Sequence, residues 1–179
     1  MKSKAKDVKN NNLVKFRELY ESAFPIDERR DFADVESLMG DDASHFHVCY
    51  FEENNKFSGF LTYWEWDDMR YFEHFAVDPL LRGGGLGAGY LKKVVEMKTT
   101  PVILEVEPPV DEIAKRRVGF YQRNGFRLWN ELYYLQPSYG EGRNPMKLKL
   151  MTFGEIDFTG EDDDKILRIK REVYGCKDF

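Results

Sequence analysis

The segment that most restricts the fold of this chain is Val77-Asp78-Pro79-Leu80-Leu81-Arg82-Gly83-Gly84-Gly85-Leu86-Gly87-Ala88. It follows a strand-like run at 71–77 and opens a helical pattern in which Leu86, Tyr90, Leu91, Val94 and Val95 share one face. A strand that feeds a glycine turn and then a helix leaves the first-turn amides without internal partners. It also adds the positive end of the helix dipole and lets the backbone approach an anion closely. With Arg82 beside it, the turn is suited to phosphate. Two nucleotide motifs compete for this reading. A Walker loop needs Lys and then Ser or Thr after its last glycine, and Gly87 is followed by Ala88, so that motif fails. Gly83, Gly85 and Ala88 satisfy the Rossmann spacing, with Glu105 where a ribose-binding acid would stand. That fit is the weaker one, because residues 78–82 separate strand from turn and the rest of the chain is too short for the other βα units. The plain alternative is a tight turn that needs glycine only for its backbone angles.

The flanking patterns order into mixed α and β. After a polar start, 1–12, expected to be flexible, Leu13, Phe16, Leu19 and Tyr20 recur at helical spacing, and Phe32, Val35, Leu38 and Met39 mark a second helix stopped by Gly40. Residues 46–51 and 57–66 read as strands joined by a turn at Glu53-Asn54-Asn55-Lys56. A buried strand at 102–106, a helix at 111–124 ended by Gly125, and strands at 126–135 and 146–151 follow. The tail returns to helical spacing at Ile166, Ile169 and Val173 behind an acidic start at 161–164. The sequence therefore predicts a single α+β domain over 13–153, a sheet flanked by helices, with 154–179 as a helical extension packed on it. A chain of 179 residues, 42% hydrophobic, supports such a core without a metal or disulfide staple. Cys49 and Cys176 are too few for a disulfide framework and read as reduced thiols, and no Cys/His spacing suggests a metal. No apolar run reaches membrane length and no signal-peptide pattern opens the chain, which predicts a cytoplasmic protein. A net charge of -5 with mixed signs argues against a nucleic-acid partner.

Arg82, Gly85 and Gly87 fill the cofactor signature of the GNAT superfamily of acyl-CoA-dependent N-acetyltransferases: Arg or Gln, two residues, Gly, one residue, Gly or Ala. Phe75-Ala76-Val77-Asp78-Pro79 resembles the strand that enters that loop, and Phe120-Tyr121-Gln122-Arg123-Asn124-Gly125-Phe126 resembles the later helix-to-strand motif. Many members carry an Asn seven residues before that Tyr; Ala114 stands there in this chain. The resemblance implies a twisted, mostly antiparallel sheet splayed at an acyl-CoA site, with acetyl-CoA as cosubstrate. It assigns the main chain at Phe75, Ala76 and Val77 to the pantetheine arm. Arg82, Gly83, Gly84, Gly85, Leu86, Gly87 and Ala88 would wrap the pyrophosphate. A homodimer is common among such folds, and nothing after Phe153 specifies one.

Acetyl transfer to an amine needs a neutral nucleophile, a polarised carbonyl and a proton for the departing thiolate. Glu73, on the strand that would hold the cofactor, is the expected base; its position resembles that of the base in spermidine/spermine acetyltransferases. Its aromatic neighbours Phe72 and Phe75 predict a raised pKa. His74 is the competing base, and strand alternation predicts that it faces away from Glu73. Tyr121 matches the family's tyrosine acid. Phe24, Glu28 and Trp64 are the expected acceptor-binding residues for a small-molecule or peptide amine, with Tyr133, Tyr134 and Tyr139 as further wall candidates. Glu105 and Glu107 offer a further proton relay. Two other functions fit parts of the pattern: a non-catalytic acyl-CoA sensor, and a nicotinamide dinucleotide enzyme.

Overall fold

The computed structural model of the chain describes residues 10–177. Helices α1 (Asn10–Ala23) and α2 (Phe32–Gly40) precede a hairpin of β1 (Phe46–Glu53) and β2 (Lys56–Glu65). Asn54 and Asn55 take φ values of 51° and 59° at its tip, the left-handed pair that matches strand twist and that asparagine tolerates. Strand β3 (Arg70–Val77), a single 3-10 turn (Pro79–Leu81), α3 (Leu86–Glu96), β4 (Val102–Val106), α4 (Glu112–Arg123), β5 (Arg127–Gln136) and β6 (Met146–Phe153) follow. Last comes α5 (Asp164–Arg168), which widens into a π turn over Ile169–Val173. Of the polar start, 10–12 belong to α1, and 1–9 lie outside the described residues.

The strands form one sheet in the order β1-β2-β3-β4-β6-β5, antiparallel throughout except for β3 beside β4. Phe16, Tyr20, Phe32 and Val35 from α1 and α2 pack on one face together with Ile166, Ile169 and Val173 from the tail. Tyr90, Leu91, Val94 and Val95 from α3 and Val118 from α4 cover the other. Ile166 and Ile169 are completely buried, so the tail shares the core of the sheet.

Two irregularities shape the site. The parallel pairing of β3 with β4 covers only Arg70↔Val102, Tyr71↔Ile103 and Phe72↔Leu104, after which the strands part and leave the main chain of 73–77 without a neighbour on that side. The closed half is tied down by Arg70, 2% exposed, whose guanidinium donates to the carbonyls of Val94 (2.7 Å), Val95 (3.0 Å), Lys98 (3.1 Å) and Thr100 (3.0 Å). Those carbonyls include the unpaired ones at the end of α3, where a cation is favoured. The second irregularity is a β-bulge. Thr62 lies opposite His74 and Tyr63 opposite Phe72, so Glu73 is an extra residue on β3. The bulge resets side-chain alternation: Phe72, Phe75 and Val77 join the α3/α4 face, while Tyr71 and Ala76 join the α1 face. Glu73 and His74 both turn toward the α1 face, 4.0 Å apart, which corrects the expectation that they point opposite ways.

Candidate active site

The parting strands open a cleft of about 1170 Å³. Phe75, Ala76 and Val77 form one wall, with Glu105 and Val106 of β4 and the following Glu107 across from them. Arg82, Gly83, Gly85, Leu86, Gly87 and Ala88 close its end, with Gly84 inside the same turn. Tyr121 enters from α4, Phe24 and Glu28 from the segment after α1, and Tyr139 from the loop after β5.

At the glycine end, Gly83 and Gly85 hold φ at 92° and 79°, and a Cβ on either would meet nothing within 4 Å, so the turn needs glycine for its angles and leaves open space beside it. Gly85 caps α3 without a side-chain hydrogen bond, and the helical ladder starts at Gly89 N–H to Gly85 O (3.1 Å). The amides of Leu86, Gly87 and Ala88 therefore have no helical acceptor. Arg82 Nε donates to Val77 O (3.0 Å), which fixes the guanidinium at the turn. Unpartnered amides, a helix N-terminus and an arginine around open space fit a diphosphate.

Glu73 is placed differently from its expected chemistry. Its side chain is completely shielded and ion-paired with Arg30, while Trp64 Nε1 (3.0 Å) and Tyr139 OH (3.1 Å) donate to its carboxylate. Burial alone raises the pKa of such a group, but the charge of Arg30, that of His74 when it is protonated, and the bonds from Arg30 and Trp64 outweigh it and hold Glu73 below the usual carboxylate value. The raised pKa expected of Glu73 is thus reversed by Arg30. His74, 3% exposed, packs edge-on against Tyr20 and Phe24, bonds Thr62 Oγ1 (3.2 Å) and Glu28 O (2.8 Å), and has its pKa lowered by burial, against the raising effect of Glu73.

Glu105 behaves in the opposite way. Tyr134 donates to one of its oxygens and Tyr174 to the other (2.9 Å), and no Lys or Arg pairs with it among the described residues. Burial dominates and pushes Glu105 up to about 7, against the lowering effect of the phenol hydrogen bonds. Glu28 is raised by burial and by the nearby Glu107, which itself pairs with Arg117. Tyr121 packs against Phe120 and Phe126, and burial pushes its phenol up to about 12.

Phe24, Glu28, Glu73, Tyr121, Tyr139 and the glycine segment thus meet around one cleft. Trp64 does not line it; the ring is 5% exposed in the core and reaches the site only through Glu73. Tyr133 points outward, 48% exposed. The pairing of Arg30 with Glu73 and the contact of Tyr174 with Glu105 escaped the sequence reading. The partners lie 43 and 69 residues apart, and no local pattern links such pairs. Both cysteines are free, and no group of three His, Cys, Asp or Glu among the described residues is placed to hold a metal ion. No helix among the described residues is long and apolar enough to cross a membrane.

The sequence pattern of the Acetyltransferase (GNAT) family matches residues 13–126. Among solved structures, the chain is similar to a protein described as an acetyltransferase of the GNAT family from Bacteroides thetaiotaomicron. That match has 36% identity and a TM-score of 0.89, and covers 99% of this chain and 98% of the other. A ribosomal-protein-alanine N-acetyltransferase from Brucella melitensis shares the fold at 18% identity and TM-score 0.61, over 83% of this chain and 97% of that one. A spermidine N-acetyltransferase variant from Vibrio cholerae does so at 15% identity and TM-score 0.62, over 82% and 91%. No curated protein sequence matches the chain. The family pattern covers the strand, the glycine turn and the helix that build the cleft, and the chain belongs to the GNAT family of acetyltransferases.

Proposed function

We propose that the protein acetylates a primary amine by direct transfer in a ternary complex, with Glu105 as general base and Tyr121 as the proton donor at sulfur. The observation that carries this reading is the lone carboxylate of Glu105, bonded only by phenols and facing the open β3 edge across the cleft. Acetyl-CoA, when bound, supplies an acyl group on a thiol leaving group. The main chain of 75–77 offers a strand edge for the pantetheine amides, and 82–88 offers the diphosphate site. No covalent enzyme intermediate is invoked.

Magnitudes favour Glu105 over Glu73 as the base. An alkylammonium of pKa about 10 gives its proton to an ordinary carboxylate of about 4.3 at a cost of about 8 kcal/mol. At about 7, Glu105 halves that cost to about 4 kcal/mol. Glu73, held below the ordinary value by Arg30, makes the transfer worse and instead keeps Arg30, Trp64 and Tyr139 in place. Glu105 takes one proton from the ammonium and returns it to solvent at the end of the cycle. The amine nitrogen then bonds to the acyl carbon, the carbon–sulfur bond breaks, and the second nitrogen proton remains to be moved to sulfur. A phenol at about 12 does not yield its proton outright to a thiolate of about 8.5, a step uphill by about 5 kcal/mol. Tyr121 therefore passes a proton on, gaining the nitrogen's as it gives up its own. Glu28 and Glu107 at the acceptor side favour a cationic amine.

Thiol release from acetyl-CoA over a panel of polyamines, amino acids and peptide N-termini tests this reading. Turnover with at least one amine, lost in Glu105→Gln, is expected. Thermal protection by coenzyme A without turnover on any amine would make the chain a sensor.

A further inference from the structure

Outside residues 13–126, the stretch that matches the family pattern, three tyrosines converge on the two acids of the cleft, Tyr134 and Tyr174 on Glu105 and Tyr139 on Glu73. We infer that Tyr174, carried in by the C-terminal segment, is a positioning residue for acetyl transfer: its hydroxyl orients the Glu105 carboxylate and stabilises its charged form. The inference rests on Glu105 being the base.

The hydrogen bonds around Glu105 order the phenol protons. Tyr134 donates to Glu105 Oε1 and Tyr174 to Oε2 (2.9 Å). Since each phenol has a single proton, the 2.9 Å contact between Tyr71 and Tyr174 is a donation from Tyr71. Tyr139, 3.1 Å from Glu73 and 3.4 Å from Tyr174, gives its proton to the nearer carboxylate. Each Glu105 oxygen then accepts from a phenol and keeps a second lone pair, so the donors favour the carboxylate while leaving it room to take a proton. The groups facing Glu105 are Tyr71 and Glu73 from β3, Tyr134 from β5, Tyr139 from the following loop and Tyr174 from the tail. The nearby cations are held elsewhere: Arg30 on Glu73, and Lys170 over the Tyr134 ring at 5.8 Å.

The tail is anchored on both sides of this residue. Val173 is 3% exposed, and its carbonyl accepts from Arg30 Nη1 (3.4 Å) and Nη2 (3.3 Å). Glu172 accepts from Trp66 Nε1 (2.7 Å). Gly175, at φ 72°, turns the chain out after Tyr174. The π turn ends one residue before Tyr174, a distortion frequent at functional sites. The Arg30 that neutralises Glu73 thus also fixes the segment that serves Glu105.

Tyr174→Phe keeps the ring against Tyr139 (centroids 4.9 Å) and removes only the hydroxyl. In protein labelled with 13C at glutamate carboxyls, with Glu105→Gln identifying the signal, the Glu105 midpoint should rise by about half to one pH unit, since a donor to the charged form is lost. The acid limb of kcat should rise with it, while the Kd for acetyl-CoA stays unchanged. An unmoved Glu105 midpoint overturns the inference. Because that signal is read without turnover, it is separable from the base assignment, which falls if Glu105→Gln keeps the parent kcat. Should Tyr174→Phe not fold, a fluorotyrosine at 174, a stronger donor, should lower the midpoint; no movement there also overturns the inference.

Discussion

Glu73 and Glu105 stand on the two strands that part to form the cleft, and both are pulled from water, yet they titrate in opposite directions. Glu73 has a guanidinium, an indole and a phenol on it; Glu105 has phenols alone. Burial is common to both, so the difference lies in the counter-ion. A buried carboxylate with an arginine is a fixed charge that organises its surroundings, whereas one with neutral donors remains able to take a proton near neutrality. In the proposed mechanism, that contrast gives Glu73 a structural part and Glu105 the chemistry.

The largest expected effect comes from exchanging the two acids for their amides. Glu105→Gln should lower kcat about 10³-fold, as for loss of a general base, and Glu73→Gln far less; equal losses in a steady-state assay would erase the contrast. Arg30→Met should cost about 3–5 kcal/mol in urea unfolding, because it leaves Glu73 buried without its cation. Arg30→Met combined with Glu73→Met should recover most of that, and a double variant no better than the single would deny the pairing its role. Tyr121→Phe should reduce kcat about 10²-fold with an unchanged Kd for acetyl-CoA; a weakened Kd instead would make Tyr121 a binding residue.

The smallest effect is on stability against pH. Glu105 binds its proton more tightly folded than unfolded, so its ionisation takes away stability as pH rises from about 4 to about 7, by on the order of 2–3 kcal/mol. Glu73 has the opposite sign: its contribution is complete above the ordinary carboxylate range and is lost as pH falls through its lowered folded value. Urea midpoints of Glu105→Gln should accordingly fall less than those of the parent between pH 4.5 and 7. Parallel curves would mean that Glu105 titrates as it does in the unfolded chain.

The elements themselves were legible. Periodicity placed every α-helix and strand, the Asn54-Asn55 turn announced the hairpin, and the glycines announced the turn between β3 and α3. What the pattern could not carry is phase and partnership. A one-residue bulge at Glu73 leaves hydrophobic alternation nearly intact while turning Glu73 and His74 to the same face. The identity of a buried acid's partner depends on a contact with Arg30 across 43 residues, set by how the segment after α1 folds over the sheet. Trp64 reads as a cleft aromatic because strands expose alternate residues, but β2 is covered on both faces, so the ring lies in the core. The tail reads only as an amphipathic helix, and its part in the site depends on where it docks.

The most direct measurement is the pH dependence of kcat at saturating acetyl-CoA and amine, for the parent protein and Glu105→Gln. An acid limb with its midpoint near 7 in the parent, replaced by a low and flat profile in the variant, is the predicted result. A variant that keeps both the rate and the limb would contradict the assignment of Glu105 and return the base to another residue of the cleft.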